Sequence, residues 1–277
     1  MRIVYLGTPA DAVPPLEAIV AAGHEVPLVI TQPDRRRARG RGATPSPVRA
    51  AAESLGLPVA TPERAAEIVD RVAALGADLG VVVAFGQILP PALLDAIPGG
   101  YVNLHFSLLP RWRGAAPVER ALLAGDAETG VAVMAVVSEL DAGGTFAVER
   151  TPIAPDETAG ELRDRLVAVG TDLLVRTLPG VADGAPTAQA GEPTYAAKLT
   201  VEEFELDPAA PAAVTDRLVR AGNPRPGAWL VHDGTRLKVW RGHIEGDRYV
   251  PTEVQPEGRA RMAYGAWLAG HRGTPPW

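Results

Sequence analysis

The run V-N-L-H-F-S-L-L-P, residues 102–110, holds two side chains with chemical potential, Asn103 and His105. A two-residue spacing in an extended chain sends both to the same face. Ser107, Pro110 and Gly114 break the extended pattern, so the pair belongs at or near the carboxyl end of a strand. An amide donor beside a titratable imidazole suits acyl transfer, one group meeting a developing oxyanion and the other moving a proton. A lone histidine on a half-buried strand is more often a packed side chain; the neighbouring Asn103 and the S-L-L-P turn favour the catalytic reading. Asp141, in S-E-L-D-A-G-G-T-F, follows a strand-like run and precedes a glycine pair. It is either an ordinary Asp-Gly turn or a carboxylate that reaches His105 and selects its tautomer. Ser107 as a nucleophile for His105 is awkward, because the two are only two residues apart on a bending chain.

The elements that must hold these groups alternate. Strand candidates are 2–6, 25–30, 57–60, 79–85, 101–105, 131–137 and 146–151, and the run 79–85 is continuously apolar as a buried parallel strand requires. Helical spacing appears over 11–22, 47–55, 63–75, 118–123 and 158–178, the last with Leu162, Leu166, Val169, Leu173 and Leu174 on one side. This alternation predicts an α/β fold with a doubly wound, Rossmann-like, mostly parallel sheet and ligands at the carboxyl ends of its strands. Composition shifts after Leu178. Residues 179–199 read as an exposed linker between a catalytic domain, 1–178, and a small β-containing C-terminal domain, 200–277. In that last part a helix is expected over 211–221 and strands over 228–232, 236–241 and 248–255.

Composition excludes several chemistries. The chain has 277 residues and no cysteine, so disulfides, thiolate zinc sites and thiol nucleophiles are ruled out. Its five histidines lack ligand spacing, and no metal is expected. Walker, G-x-S-x-G and dinucleotide motifs are absent; Gly40 and Gly42 lack the flanking pattern of the last. The N-terminal run is broken by Gly7 and Pro9 too early for a signal peptide, and no apolar run approaches the ~20 residues of a membrane span. A cytoplasmic monomer without membrane contact is the expectation. The net charge is −6, so any nucleic-acid contact must come from a local patch. Such a patch exists: Arg35, Arg36, Arg37, Arg39 and Arg41 are interleaved with Gly40 and Gly42. An isolated arginine run is usually a solvated surface loop. Here it leaves a strand end on the cleft side, and guanidinium forks suit phosphate oxygens.

The blocks G-T-P (7–9), A-V-P-P-L-E-A (12–18), T-Q-P-D (31–34), P-S-P-V (45–48), F-G-Q-I-L-P (85–90), the Asn103–His105 block with R-W-R-G-A-A-P, G-D-A-E-T-G-V (125–131), L-D-A-G (140–143), N-P-R-P-G-A-W, K-V-W and Q-P-E-G-R span nearly the whole chain. With them the sequence resembles the methionyl-tRNA formyltransferases, within the wider family of 10-formyltetrahydrofolate-dependent formyltransferases. The resemblance implies a catalytic set of Asn103, His105 and Asp141. It also implies direct attack of an amine on the formyl carbon of 10-formyltetrahydrofolate, a co-substrate, with no metal. Folate contacts are implied for Phe85, Gly86, Ile88 and Leu89 and for Ser107, Leu108, Leu109 and Pro110. Contacts with the acceptor stem of methionyl initiator tRNA are implied for Arg36, Arg37, Arg39 and Arg41, and an OB-like form for the C-terminal domain.

The sequence departs from the family pattern at three places. Asp11 stands where G-T-P-x-F relatives carry Phe, Ala142 stands where Thr commonly follows the catalytic Asp, and the chain is shortened between Trp240 and Gln255. An alternative acceptor is a small amine, such as a nucleotide-linked amino sugar; it would need neither the arginine segment nor the Q-P-E-G-R tail. A non-catalytic RNA-binding role is opposed by the intact Asn103, His105 and Asp141.

Overall fold

The computed structural model describes residues 1–34, 44–271 and 274–277. It forms two compact units. The first comprises Met1–Arg113, Gly130–Arg150 and Asp164–Thr194; the second comprises Gly114–Thr129, Thr151–Arg163 and Tyr195–Trp277.

A seven-stranded sheet organises the first unit. Its strands are β1 (Arg2–Gly7), β2 (Glu25–Ile30), β3 (Val59–Ala60), β4 (Leu79–Val83), β5 (Tyr101–His105), β6 (Glu128–Ala135) and β7 (Thr145–Pro152). Their spatial order is β3-β2-β1-β4-β5-β6-β7. The pairings from β3 through β5 are parallel, whereas β6 lies antiparallel to β5. The order reverses between β1 and β4, the position at which open α/β sheets leave a crevice beyond their strand ends. The apolar run of β4 is buried along its whole length, as its sequence required.

Helices cover the sheet. The helix Val13–Ala21 begins with prolines in its first turn, where no amide hydrogen bond is lost. Pro47–Ser54 is capped by Ser46, whose hydroxyl accepts from the Arg49 amide; this is the physical content of P-S-P-V. The span expected to be one helix over 63–75 is a 3₁₀ turn, Ala65–Ile68, followed by a short helix, Val69–Ala73. Val4, Leu6, Leu28, Ile30, Val82, Phe85 and Leu93 share one buried cluster with Ile68 and Val72. Each large apolar side chain so buried contributes about 1.5–3 kcal/mol. In the helix Ala159–Val181, Gly170 faces β5, where an added Cβ would lie 3.1 Å from Leu104.

The second unit carries a four-stranded antiparallel sheet. Its strands in order are β8 (Ala228–His232), β9 (Thr235–Glu245), β10 (Arg248–Pro256) and β11 (Met262–Ala263). β8 and β9 are joined by Asp233-Gly234, both at positive φ (46° and 74°), the two-residue turn that matches strand twist. Leu206, Val219, Leu230, Leu237, Val239, Val254 and Tyr264 form its core beneath the helix Ala212–Gly222. A final helix, Tyr264–Gly270, was not evident in the sequence, where two glycines and no capping residue obscure it. No helix among the described residues is long and apolar enough to cross a membrane.

Candidate active site

Asn103 and His105 occupy alternate positions on β5, as their spacing required. Asn103 pairs with Val82 of β4 on one side and Met134 of β6 on the other, and His105 pairs with Ala132. His105 is the last residue of the strand and is buried. At the opposite end Tyr101 is also buried, which pushes its phenol well above the ordinary range and keeps it neutral.

The chain after β5 turns back to fix the imidazole. His105 Nε2 lies 2.9 Å from the carbonyl oxygen of Trp112. A carbonyl only accepts, so Nε2 carries a proton in both charge states and Nδ1 is the nitrogen that exchanges. Three contacts hold that carbonyl in place. Ser107 Oγ donates to the Arg111 carbonyl at 2.6 Å, the Trp112 amide donates to Thr194 Oγ1 at 2.9 Å, and the Arg113 amide donates to the Thr194 carbonyl at 2.8 Å. Trp112 adopts a positive φ of 65° to present its oxygen. Ser107 is fully buried and engaged, so its role is to shape this turn.

Asp141 Oδ2 lies 3.8 Å from His105 Nδ1, within ion-pair reach of a protonated ring but longer than a hydrogen bond. Its route there was not expected. Since β6 runs antiparallel, its carboxyl end lies beside Tyr101, where the Val136 amide donates to the Tyr101 carbonyl at 2.8 Å. The following residues carry the chain back toward the His105 end of β5. Gly143 is buried against the Ala135 carbonyl, where an added Cβ would approach to 1.9 Å, so L-D-A-G needs its glycine for close approach.

A residue that sequence reading did not single out anchors this loop. Gln189 Nε2 donates to the carbonyls of Asp141 and Gly143, each at 2.8 Å. Its Oε1 accepts from Arg113 Nε and Nη2 at 3.1 and 2.8 Å, and Arg113 Nη1 pairs with Glu139 at 3.0 Å. Arg113, one residue past the carbonyl that holds His105, is thereby tied through one amide to the backbone of Asp141. Gln189 stands in the Gly- and Pro-rich stretch read as a linker, which left no local signal for it.

The loop after β4 is pinned from β1 and β2. The Phe85 carbonyl accepts from Thr8 Oγ1 and from Gln32 Nε2, both at 2.9 Å. Gly86 has a φ of 82° and would place a Cβ 2.4 Å from Gln32 Nε2, so only glycine fits. The side chains of Phe85 and Leu89 point into the core, whereas Ile88 is 86% exposed. Leu108, Leu109 and Pro110 are half-buried on the turn that follows His105. Arg36, Arg37, Arg39 and Arg41 lie outside the described residues. The segments flanking them are tied together by an Arg49–Asp34 ion pair at 2.7 Å and a Thr31–Ser46 hydroxyl contact at 2.7 Å. Among the described residues, one trio of side chains converges in a way that suits a metal: His232, Asp233 and His271, in the second unit.

An amide on β5, an imidazole with one nitrogen fixed at the end of that strand and a loop carboxylate facing the other nitrogen are the kinds of group that acyl transfer employs. Residues 1–178 match the family model described as formyl transferase, and residues 198–251 match that of the formyl transferase C-terminal domain. Fold, site and match together define a formyl transferase. A methionyl-tRNA formyltransferase of Roseobacter denitrificans is 48% identical over 259 residues, 92% of this chain and 85% of the relative. The solved methionyl-tRNA formyltransferase from Clostridium thermocellum shares the fold, with a TM-score of 0.63 at 14% identity over 92% of this chain and 98% of its own. HypX from Aquifex aeolicus, solved in complex with tetrahydrofolic acid, gives a TM-score of 0.68 at 15% identity over 97% of this chain and 47% of its own. The chain belongs to the methionyl-tRNA formyltransferase family.

Proposed function

We propose that this chain transfers the formyl group of 10-formyltetrahydrofolate to the amino group of methionyl initiator tRNA, using Asn103, His105 and Asp141. The observation that carries the reading is the fixing of His105 Nε2 on the Trp112 carbonyl, which turns Nδ1 toward Asp141, two residues along β5 from Asn103.

The acceptor amine attacks the formyl carbon, and the carbonyl π pair moves onto oxygen. The Asn103 amide and the Nδ1–H of protonated His105 donate to that oxyanion, while Nε2–H stays on the Trp112 carbonyl. Asp141 orients His105 before the attack and then takes up the proton released by the amine. Collapse breaks the bond between the formyl carbon and N10, the proton passes to N10, and the products are formylated amine and tetrahydrofolate. Phe85, Gly86, Ile88 and Leu89 and the turn Ser107–Pro110 supply the folate contacts in this reading. Phe85, Leu89 and Ser107 act there through the backbone or by shaping their loops, since the first two side chains are committed to the core and the Ser107 hydroxyl to the Arg111 carbonyl.

The tRNA acceptor is favoured over a small amine by two features. One is the arginine segment with Arg36, Arg37, Arg39 and Arg41. The other is a cationic cluster on the second unit, where Arg261 lies 3.7 Å and Lys238 5.3 Å from the Trp240 ring and Arg236 lies 3.9 Å from Trp229. Partial burial lowers the Lys238 pKa first, and the nearby positive charges of Arg236 and Arg261 add to it. Such crowding is relieved by phosphate. The test is formyl transfer from 10-formyltetrahydrofolate to charged initiator tRNA, with nucleotide-linked amino sugars in parallel. Transfer to tRNA alone is expected; transfer to the amino sugar alone overturns the acceptor assignment, and no transfer without folate is expected for either.

A further inference from the structure

We propose that His232, Asp233 and His271 form a binding site for a divalent transition ion of the zinc type, in the second unit and separate from the formyl-transfer site. His232 ends β8, Asp233 opens the turn to β9, and His271 follows the last helix. His232 Nε2 and His271 Nε2 are 3.0 Å apart. Asp233 Oδ2 lies 3.3 Å from the second nitrogen and 3.9 Å from the first. A point equidistant from these three atoms lies about 2 Å from each, which is the bond length zinc takes to imidazole nitrogen and carboxylate oxygen.

The surroundings fix the rings in that arrangement. Tyr264, Trp267 and His271 follow one another at helical spacing, and Trp267 stacks on His271 with centroids 4.5 Å apart and planes at 17°. Tyr264 also stacks on Trp267 at 5.6 Å, and His232 meets Trp267 in a T-shaped contact at 5.6 Å. One indole therefore positions both imidazoles. Asp233 is held by the tight turn, whose next residue is Gly234. Two imidazoles and one carboxylate select Zn²⁺ over Mg²⁺ or Ca²⁺, and three protein ligands leave a fourth position for water. The ion would clasp the hairpin turn to the end of the helix Tyr264–Gly270, joining segments 38 residues apart in the chain.

The experiment uses the full chain without an affinity tag, stripped with a chelator and titrated with ZnCl₂ and, separately, MgCl₂ by calorimetry. About one equivalent of Zn²⁺ and no Mg²⁺ is expected to bind, with a rise in melting temperature. His232→Ala with His271→Ala is expected to abolish both effects, and Asp233→Asn to weaken uptake about tenfold or more. Formyl transfer by the stripped double variant serves as the folding control and is expected to match the stripped parent. Cobalt absorption in the parent gives a readout that needs no variant: a visible band characteristic of four-coordinate nitrogen and oxygen ligation is expected. Failure of the parent to take up Zn²⁺, or uptake that survives the double substitution, overturns the proposal and leaves a histidine–histidine hydrogen bond beside a carboxylate.

Discussion

Replacing Gln189 with Leu removes four hydrogen bonds while keeping most of the side-chain volume. Two of them come from Arg113, whose remaining carboxylate contact is with Glu139, a side chain 70% exposed. The other two hold the carbonyls of Asp141 and Gly143. Hydrogen bonds to a charged group contribute about 1.5–3 kcal/mol net and neutral ones about 0.5–1.5, so with partial replacement by water the variant should lose about 2–4 kcal/mol of stability. The kinetic effect comes through Asp141, which sits at a φ of 48° and whose backbone these bonds secure. Misplacement of a reacting group by about 1 Å costs on the order of 10²-fold. We expect kcat for formyl transfer to fall about 10- to 100-fold with the KM for the formyl donor nearly unchanged. A double-mutant cycle with Asp141→Asn separates positioning from general damage, because a residue acting through Asp141 has little left to lose once that carboxylate is gone. Gln189→Leu should therefore cost less than about threefold in the Asp141→Asn background. An equal loss in both backgrounds, or a single variant with parental kcat, refutes the reasoning.

His105→Ala and Asp141→Asn should each lower kcat by about 10²-fold or more while the chain stays folded, checked by single-turnover transfer and circular dichroism; near-parental turnover would remove either residue from the mechanism. Arg39→Ala with Arg41→Ala should weaken use of tRNA and reduce the slope of log affinity against log salt by about one unit per lost phosphate contact. A salt series identical to the parent's would make those arginines a solvated surface. Glu161 caps the helix Ala159–Val181 through Thr158 and pairs with Arg241, chiefly the latter holding its carboxyl down to about 2. Because the folded pKa is depressed, the pair's stabilisation is present above about pH 4.5, the unfolded carboxyl range, and is lost as pH falls toward 2. Glu161→Gln should thus be less stable than the parent at pH 7, by less than about 1 kcal/mol for this half-exposed pair, and indistinguishable near pH 2. A gap in urea midpoint that widens on acidification would contradict the assignment.

Much of the site was legible because it is local. Alternation on β5 is a property of any extended chain, so Asn103 and His105 had to share a face once residues 101–105 were recognised as a strand. Ser46 with Pro47, Gly86 and Asp233-Gly234 likewise carry their backbone conformations in their residue types. The alternation of strands and helices through residue 178 specified a doubly wound sheet for the same reason: hydrophobic period and breakers are written along the chain.

What the sequence could not specify depends on distant partners. The sense of β6 is one case: a buried apolar strand reads the same in parallel or antiparallel pairing, yet its reversal carries the chain away from His105 and makes the following loop bring Asp141 back. Gln189 is another. A single amide among glycines, prolines and alanines has no periodicity to announce it, and its role exists only where Arg113, Asp141 and Gly143 converge across long separations. The choice of Nδ1 as the exchanging nitrogen is a third, since it rests on the Trp112 carbonyl, delivered by a turn held through Ser107 and Thr194. The residue types able to do chemistry, and the strand that aligns two of them, followed from the sequence alone. Which nitrogen of His105 faces Asp141, and the path that brings that carboxylate near, were decided by tertiary structure, because hydrogen bonds between remote segments leave no mark in local pattern.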